Sequence, residues 1–332
     1  MSARRCGVVG ATGAVGRELL RILEAREFPV ASLRLFASAD SVGARLPFRG
    51  EHLVVSAIEP GSLEGLDLAF FCAGANVARV HAPAAARHGC VVIDNSSAFR
   101  GDHDVPLVVP EVNGDAIASH RGLLANPNCA ATLLATALHP LRAAAGIRSL
   151  IVATYQAASG AGRAAMDELL RDTRRRLDGD DPGPPVALPA TLGFNVFPHV
   201  GALQPGGPSS EESKIRAELR RILAQPDLPI DATCVRVPVL RCHSAAVTVG
   251  LDRAVDPAAA RALFAGATGV TMADGPDGAG YPTPAEYSGA DGCGVGRIRA
   301  SSVLDPGLTF WICGDQLRKG AALNAVQIAE AL

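Results

Sequence analysis

The first third of the chain alternates short apolar runs with helical patterns. The opening run is Cys6-Gly7-Val8-Val9, and a glycine-rich turn and an amphipathic pattern over Arg17–Glu24 follow it. Further apolar runs, each typical of a buried strand, span Ala31–Ala37, Leu66–Cys72 and Cys90–Ile93. Strands that alternate with helices favour a parallel sheet covered by helices. The sequence therefore predicts an α/β fold with a doubly wound, Rossmann-type parallel sheet.

The glycine-rich turn is Gly10-Ala11-Thr12-Gly13-Ala14-Val15-Gly16, directly after the first strand and before the first helix. Glycines let such a turn tighten and let backbone amides approach a pyrophosphate that rests on the helix N-terminus. The spacing alone is a weak signal, but its position between strand and helix is the context that dinucleotide binding requires. A structural turn without a ligand is the alternative.

The segment after the second strand, Ser38-Ala39-Asp40-Ser41, lies where folds of this class contact the adenosine ribose. Ser38 and Ser41 could hold a 2′-phosphate, whereas the Asp40 carboxylate would prefer a free 2′-hydroxyl. These residues leave the choice between NADP and NAD open.

A cysteine is predicted at the start of a helix, because Asn126-Pro127-Asn128-Cys129 precedes a small, apolar run. Pro127 cannot lie inside the helix and Asn128 is a good N-cap, so Cys129 falls at the first helical position. Unpaired amides and the helix dipole favour a thiolate there. A catalytic nucleophile and a buried structural cysteine are both consistent with this tetrapeptide alone.

The second half of the chain is richer in β patterns. Strands are predicted over Ser149–Tyr155, Ala232–Leu240 and Ser244–Leu251, and a final helix over Leu317–Ala331. The basic run Arg171–Arg176 is interpreted as a solvated helix face. We expect this half to form an α+β domain that holds the substrate.

Two clusters of charged residues suit an enzyme that handles an anion. Arg100 follows a predicted strand end, where open α/β sheets bind ligands, and its planar guanidinium could grip a phosphate or a carboxylate. Glu211 and Lys214 lie on one face of a helix for which Ser209 and Ser210 are candidate caps, although such a pair is usually a surface ion pair.

Arg236 and His243 form a third candidate pair. In an unbroken strand, residues at this odd spacing would point to opposite faces. Pro238 makes an unbroken central strand a poor interpretation, so the two side chains can converge.

Composition narrows the class of ligand. The chain has 332 residues, room for two domains, and a formal net charge of −2, so no basic surface indicates nucleic acid or an anionic membrane. A small charged metabolite is the better expectation. The eight cysteines form no CxxC pair, and neither an export segment nor a membrane-spanning run is evident, which predicts a cytoplasmic protein without a metal site.

Together these motifs resemble the aspartate-β-semialdehyde dehydrogenase family, almost from end to end. The matching segments are 10–16, 92–100, 106–113, 126–129, 154–162, 194–196, 211–214, 236–244 and 314–322.

The resemblance implies a role for each candidate. Cys129 would attack the aldehyde carbon, His243 would take the thiol proton or act as the acid/base partner, and Gln156 would orient the reacting centre. The implied substrate-binding residues are Arg236 for the α-carboxylate, Glu211 for the α-ammonium, and Arg100, Lys214 and Asn128 for phosphate. The implied coenzyme-binding residues are Gly10, Ala11, Thr12, Gly13, Ala14, Val15, Ser38, Ala39, Ser159, Gly160 and Gln316.

The resemblance also implies an organisation and a reaction. Residues 1–128, completed by a C-terminal helix over 316–332, would form the NADP-binding domain, and residues 129–315 the catalytic and dimerisation domain of a homodimer or homotetramer. The reaction would convert L-aspartate 4-semialdehyde and phosphate to 4-phospho-L-aspartate, in the biosynthesis of lysine, threonine, methionine and diaminopimelate. Many family members carry an arginine where this chain has Asp40, so NAD is also a possible coenzyme, and Arg45 is a candidate substitute for that arginine.

Two alternatives stay open. An N-acetyl-γ-glutamyl-phosphate reductase shares the cysteine and the coenzyme fold, but its substrate has an acylated amine, which would leave the acidic Glu211 without a purpose. A catalytically silent relative that binds nucleotide or protein partners is the other. The presence of Cys129, Gln156, Arg236 and His243 argues against it.

Overall fold

The structure, a computed structural model, describes residues 2–275, 277 and 279–332. These described residues divide into two units: the first comprises the chain up to Asn128 together with Ala321–Leu332, and the second comprises Cys129–Gly320.

The first unit contains the predicted alternation of strands and helices. Its elements are β1 (Arg4–Val9), α1 (Ala14–Ala25), β2 (Val30–Ala37), β3 (Arg45–Phe48), β4 (Glu51–Ala57), β5 (Leu68–Phe71), α2 (Ala75–Arg87), β6 (Val91–Asp94), α3 (Pro110–Asn113) and β7 (Leu123–Ala125). A C-terminal helix, Leu323–Glu330, also belongs to this unit.

The strands of the first unit pair in the order β3-β4-β2-β1-β5-β6-β7, and every pairing is parallel except that of β3 with β4. β1 is central because Cys6 pairs with Leu33 on one side and with Leu68 on the other. One core cluster joins α1, these strands and the C-terminal helix through side chains such as Leu19 and Val326. The predicted Rossmann-type parallel sheet is confirmed.

The second unit is built on a mixed sheet. Its elements are α4 (Cys129–Ala145), β8 (Ile147–Gln156), α5 (Arg163–Leu177), α6 (Ser210–Ile222), β9 (Ile230–Arg236), β10 (His243–Leu251), α7 (Pro257–Ala265), β11 (Val270–Met272), α8 (Pro284–Tyr287), β12 (Cys293–Ala300) and β13 (Gly307–Gly314). The strand order is β11-β12-β13-β10-β8-β9. The pairings β8–β9 and β11–β12 are parallel and the others are antiparallel. The predicted α+β architecture of this half is confirmed.

Two predicted elements differ from those observed. The strand predicted over Ala232–Leu240 ends at Arg236, because Pro238 has no amide proton to donate to a neighbouring strand. The helix predicted over Leu317–Ala331 begins as a π-helical turn, Arg318–Ala322, and is α-helical only over Leu323–Glu330, which we label α9. The wider turn was not predictable, because π and α turns use the same residue types.

Candidate active site

The thiol of Cys129 lies at the N-terminus of α4, as predicted. The helix that follows is almost wholly buried over Ala130–Leu138, which fixes its first turn in the core of the second unit. Cys129 itself is only partly buried. A thiol that retains solvent access at a helix N-terminus is placed to react as a thiolate.

A glycine lets a second segment approach this cysteine. A Cβ atom added to Gly320 would lie 2.9 Å from Cys129 Cβ and 3.2 Å from its Cα and carbonyl oxygen. Because these are backbone or near-backbone atoms, neither segment could move aside easily. The glycine of the 314–322 motif is therefore a packing requirement next to the thiol.

Gln156 and His243 face each other across two neighbouring strands. Gln156 ends β8, His243 begins β10, and the two are directly paired in the antiparallel register. Both side chains are buried. The Gln156 amide donates to Glu211 Oε1 at 3.4 Å and to Thr154 Oγ1 at 3.3 Å, so it is held in a fixed orientation.

The imidazole of His243 has a defined tautomer. The Ala157 amide donates to His243 Nδ1 at 3.1 Å, so the proton of the neutral ring lies on Nε2. Nε2 has no hydrogen-bond partner among the described residues. Burial, reinforced by the charge of Arg236, lowers the pKa of His243 to about 3. The ring is thus neutral near pH 7 and presents a free N–H donor.

Arg236 brings a buried positive charge to the same place. It is 5% exposed, and its Nη1 donates to the Ala157 carbonyl at 2.5 Å, while Nε has no partner among the described residues. Burial lowers its pKa, and the charges of Cys129 and Glu211 oppose that shift. A buried guanidinium with a free N–H is a receptor for an anionic group.

Glu211 and Lys214 lie near the start of α6, where Ser209, one of the two predicted caps, forms a capping box with Glu212. Glu211 is 7% exposed, and its Oε2 lies 3.9 Å from Lys214 Nζ. Lys214 keeps 40% of its side-chain surface exposed. Glu212 Oε1 accepts from the Cys234 amide at 2.9 Å, which fixes α6 against β9.

Gly160 packs against His243, and Gln316 joins Ser159 to Cys242, the residue that precedes His243. A Cβ atom on Gly160 would lie 3.0 Å from His243 Cε1 and Nε2 and 3.2 Å from Arg236 Nη1, so the bare backbone closes over both side chains. The Gln316 amide donates to Ser159 Oγ and accepts from the Cys242 amide at 2.7 Å.

The glycine turn of the first unit has the form of a phosphate cradle. Gly10 has φ +84°, and an added Cβ would lie 2.7 Å from the Cys72 backbone, while a Cβ on Gly16 would lie 2.3 Å from the Gly10 carbonyl oxygen. Gly13 caps α1 without any side-chain hydrogen bond, so Ala11–Val15 present backbone rather than a polar cap at the helix start. These residues fit a dinucleotide pyrophosphate.

The segment after β2 lies next to this turn. Thr12 Oγ1 donates to Ser41 Oγ at 3.2 Å, which ties the glycine turn to the short 3₁₀ helix Ala39–Ser41. Ser38 caps that helix in an extended conformation, and Asp40 is exposed. The hydroxyls and the carboxylate therefore share the edge where an adenosine ribose would lie.

Arg100 and Asn128 also belong to the first unit. Arg100 donates through Nε to the Asn126 carbonyl at 2.9 Å and through Nη2 to the Asn95 carbonyl at 2.7 Å. The guanidinium thus fixes the segment that precedes Asn128, which is buried. This anchoring role was not predicted from the sequence.

Comparison with known proteins identifies the family. The family model described as the semialdehyde dehydrogenase NAD binding domain matches residues 5–120, and the semialdehyde dehydrogenase dimerisation domain model matches residues 138–319. The chain belongs to the aspartate-semialdehyde dehydrogenase family. The resemblance inferred from the motifs is confirmed.

Relatives in the aspartate-semialdehyde dehydrogenase family match along nearly the whole chain. The Synechocystis enzyme is 45% identical over 99% of this chain and 97% of its own length. The Aquifex aeolicus enzyme is 43% identical over 99% and 97%. The structure of aspartate semialdehyde dehydrogenase II from Vibrio cholerae, complexed with ASA, has a TM-score of 0.96 at 38% identity and covers 100% of this chain and 98% of its own.

Sequence reasoning about this family member missed a buried ion pair beside His243. Arg241 Nε lies 2.6 Å from Asp315 Oδ2, and the Asp315 side chain is fully buried. In the sequence Arg318 and Lys319 lie near Asp315 as candidate partners, so no signal pointed to Arg241. Arg241 is 74 residues away from Asp315, so no local pattern could name it.

Metal binding and membrane insertion would each need a recognisable structural feature. Among residues 2–275, 277 and 279–332, no group of three or more His, Cys, Asp or Glu side chains is arranged to hold a metal ion. Within the same described part of the chain, no helix combines the length and the apolar character needed to cross a bilayer.

Proposed function

We propose that this chain is an aspartate-semialdehyde dehydrogenase that converts L-aspartate 4-semialdehyde, phosphate and oxidised NADP reversibly to 4-phospho-L-aspartate, through a thioester on Cys129. One observation carries the proposal. Within the second unit, the thiol of Cys129 at a helix N-terminus is grouped with two buried N–H donors, of Arg236 and His243, that have no partner among the described residues. The biosynthetic direction runs the same steps in reverse, toward amino acids made from aspartate.

The chemistry follows from the orientation of each group. The Cys129 thiolate attacks the aldehyde carbon, and the carbonyl oxygen becomes an alkoxide. His243 Nε2–H donates to that oxygen, which a neutral imidazole can do without first taking up a proton. Gln156, held by Glu211 and Thr154, orients the hemithioacetal. Loss of a hydride to the coenzyme would turn the hemithioacetal into a thioester on Cys129. Phosphate then attacks the thioester carbon and the thiolate leaves.

Charged side chains are proposed to recognise each charged group of the two substrates. Arg236 pairs with the α-carboxylate, because its Nε lacks a partner within the described residues. Glu211 accepts from the α-ammonium. Lys214, Arg100 and Asn128 are each proposed as residues that bind phosphate.

NADP is the proposed coenzyme: Gly10–Val15 with Ser38 and Ala39 would hold it, and its nicotinamide would supply the acceptor for the hydride. Ser159, Gly160 and Gln316 are proposed to contact the nicotinamide end. NAD is the second candidate, because an exposed carboxylate at Asp40 repels a 2′-phosphate and accepts from a 2′-hydroxyl.

The deciding experiment is phosphate-dependent reduction of coenzyme by the purified protein with L-aspartate semialdehyde, run in parallel with NADP and NAD. Activity that needs phosphate is expected, and the ratio of kcat/KM for the two coenzymes measures the effect of Asp40. Reduction without any dependence on phosphate would contradict the attack of phosphate on the thioester. A folded protein with reduced Cys129 that reduces neither coenzyme would favour a silent relative, and use of N-acetyl-γ-glutamyl phosphate instead would reassign the substrate.

We also propose that the chain forms a homodimer, or a tetramer of paired dimers, through the outer face of the second sheet. On that face Ile151 and Tyr155 are 45% and 38% exposed, and the Tyr155 ring lies 5.1 Å from the Trp311 ring. Exposed apolar and aromatic side chains on a flat sheet are typical of an interface.

A charge on this face should therefore dissociate the assembly. Ile151→Arg is expected to give monomers in sedimentation velocity at concentrations where the parent protein is dimeric. Ile151 alternates with the inward Val152, so the substitution leaves the core of the unit intact. Val303→Arg, at a 73% exposed apolar side chain, is the control and should leave the assembly unchanged. A dimer that persists in Ile151→Arg would place the interface elsewhere.

A further inference from the structure

We propose that Asp315 is a positioning residue for His243, acting through its buried ion pair with Arg241. This inference rests on the proposed function, since it assigns Asp315 a role in the step that uses His243. Asp315 does not itself touch the imidazole.

Contacts from other segments of the chain, rather than its own sequence, hold the turn before His243. The segment from Val237 to Cys242 lies between the end of β9 and the start of β10, and Cys242 has φ +78°, a left-handed conformation that costs a non-glycine residue free energy. Such a backbone persists only where its surroundings determine it. His243 follows directly, so its Cα position depends on this turn.

Asp315 supplies the strongest of these external contacts. Its Oδ2 accepts from Arg241 Nε at 2.6 Å and from the Gly289 amide at 2.7 Å, and its Oδ1 accepts from the Leu317 amide at 3.0 Å. The two backbone amides therefore fix the position of the carboxylate independently of Arg241. Asp315 also follows Gly314, the register partner of His243 in β13. The ion pair thus fastens the turn to the strand beside the imidazole.

Two further hydrogen bonds hold the same turn. The Cys242 amide donates to Gln316 Oε1 at 2.7 Å, and the Ser159 amide donates to the Leu240 carbonyl at 3.1 Å. The backbone that holds His243 Nδ1, at Ala157, belongs to the same segment as Ser159. Displacement of the Arg241–Cys242 turn would therefore change both the Cα position of His243 and the hydrogen bond at its Nδ1.

The test is Asp315→Asn, which keeps the size of the side chain and removes its charge. We expect kcat to fall about 30-fold with KM for the semialdehyde changed less than about twofold, because a small misplacement of a catalytic group acts on the transition state. In a His243→Ala background the same substitution should lower kcat by less than about twofold, since there is no imidazole left to position. Equal losses in both backgrounds would overturn the proposal.

A matched control comes from the same unit. Arg261 and Asp274 form an ion pair at 3.0 Å with the same side-chain exposures, 23% and 0%, as Arg241 and Asp315. Asp274 follows β11, which β12 and β13 separate from β10 in the sheet. Asp274→Asn should lower the melting temperature as Asp315→Asn does and leave kcat within about twofold. A loss of kcat equal to that of Asp315→Asn would mean that the effect is one of general stability.

A double variant keeps the test decisive if Asp315→Asn does not fold. Arg241→Gln with Asp315→Asn removes both charges of the ion pair together and leaves two amides that can pair. Its loss of kcat should likewise vanish in the His243→Ala background, and failure of this variant to fold would overturn a positioning role. Failure of the proposed function is seen separately, as a parent protein without phosphate-dependent activity or a His243→Ala variant with full activity.

Discussion

Cys129→Ala is expected to lower kcat by at least about 10⁴-fold, because the proposed covalent intermediate forms on this thiol and an alanine methyl group cannot form it. Coenzyme affinity should stay within about twofold of the parent value, since the glycine turn that would hold the pyrophosphate belongs to the first unit and does not depend on this side chain. Initial rates with phosphate and fluorescence titration with NADP and NAD measure the two effects.

The control for this substitution is another cysteine. Burial raises the pKa of the Cys90 thiol to about 11, so it stays protonated and unreactive near pH 7. Cys90→Ala should keep nearly full activity, and one equivalent of iodoacetamide is expected to inactivate both that variant and the parent protein. Residual turnover near the parent rate in Cys129→Ala would contradict the mechanism. Loss of coenzyme binding together with activity would instead indicate misfolding, which Cys129→Ser tests with a smaller change.

Local chemistry was enough to predict the start of α4 and of α6. A proline, an asparagine and a cysteine in succession allow one helix boundary only, and the structure begins α4 at Cys129. Ser209 and Ser210 were the candidate caps of α6, and the structure has Ser209 as the cap, in a capping box with Glu212. Both predictions hold because every group that decides them lies within one helical turn.

The convergence of Arg236 and His243 was predictable only as an open possibility. Pro238 showed that one strand could not contain both residues, and the structure ends β9 at Arg236 and begins β10 at His243. The pairing of β10 with β8 decided the rest, because it sets His243 opposite Gln156. Strand order is a long-range property that alternation along one segment does not encode.

The partners of His243 illustrate what a sequence cannot supply. The Ala157 amide fixes the tautomer of the ring, and no side chain marks that role in the sequence. The tautomer adds to the interpretation of His243, since it leaves the proton of the neutral ring on Nε2, while burial lowers the pKa of the ring to about 3. The acid/base role implied by the resemblance stays a prediction, and Nε2 is the atom at which it would act.

Arg236→Lys should raise KM for the semialdehyde about 100-fold while KM for phosphate changes less than about threefold. The expected effect is large because the guanidinium is 5% exposed and the shorter, point-like ammonium would leave a buried anion without its planar partner. Arg236 also donates to the Ala157 carbonyl, so kcat should fall by a smaller factor, about tenfold, as that contact is lost.

Lys214→Ala should show the converse effect, on KM for phosphate rather than on KM for the semialdehyde. Its side chain is 40% exposed and reaches solvent, where a phosphate dianion would arrive, so KM for phosphate should rise about tenfold with KM for the semialdehyde nearly unchanged. Initial-rate matrices in both substrates measure the four constants. If Arg236→Lys raises both KM values equally, the guanidinium serves the overall shape of the site rather than one carboxylate. If the two variants exchange their effects, the assignments of α-carboxylate and phosphate are reversed, and the reaction proposed for Cys129 would stand with its substrate turned around in the site.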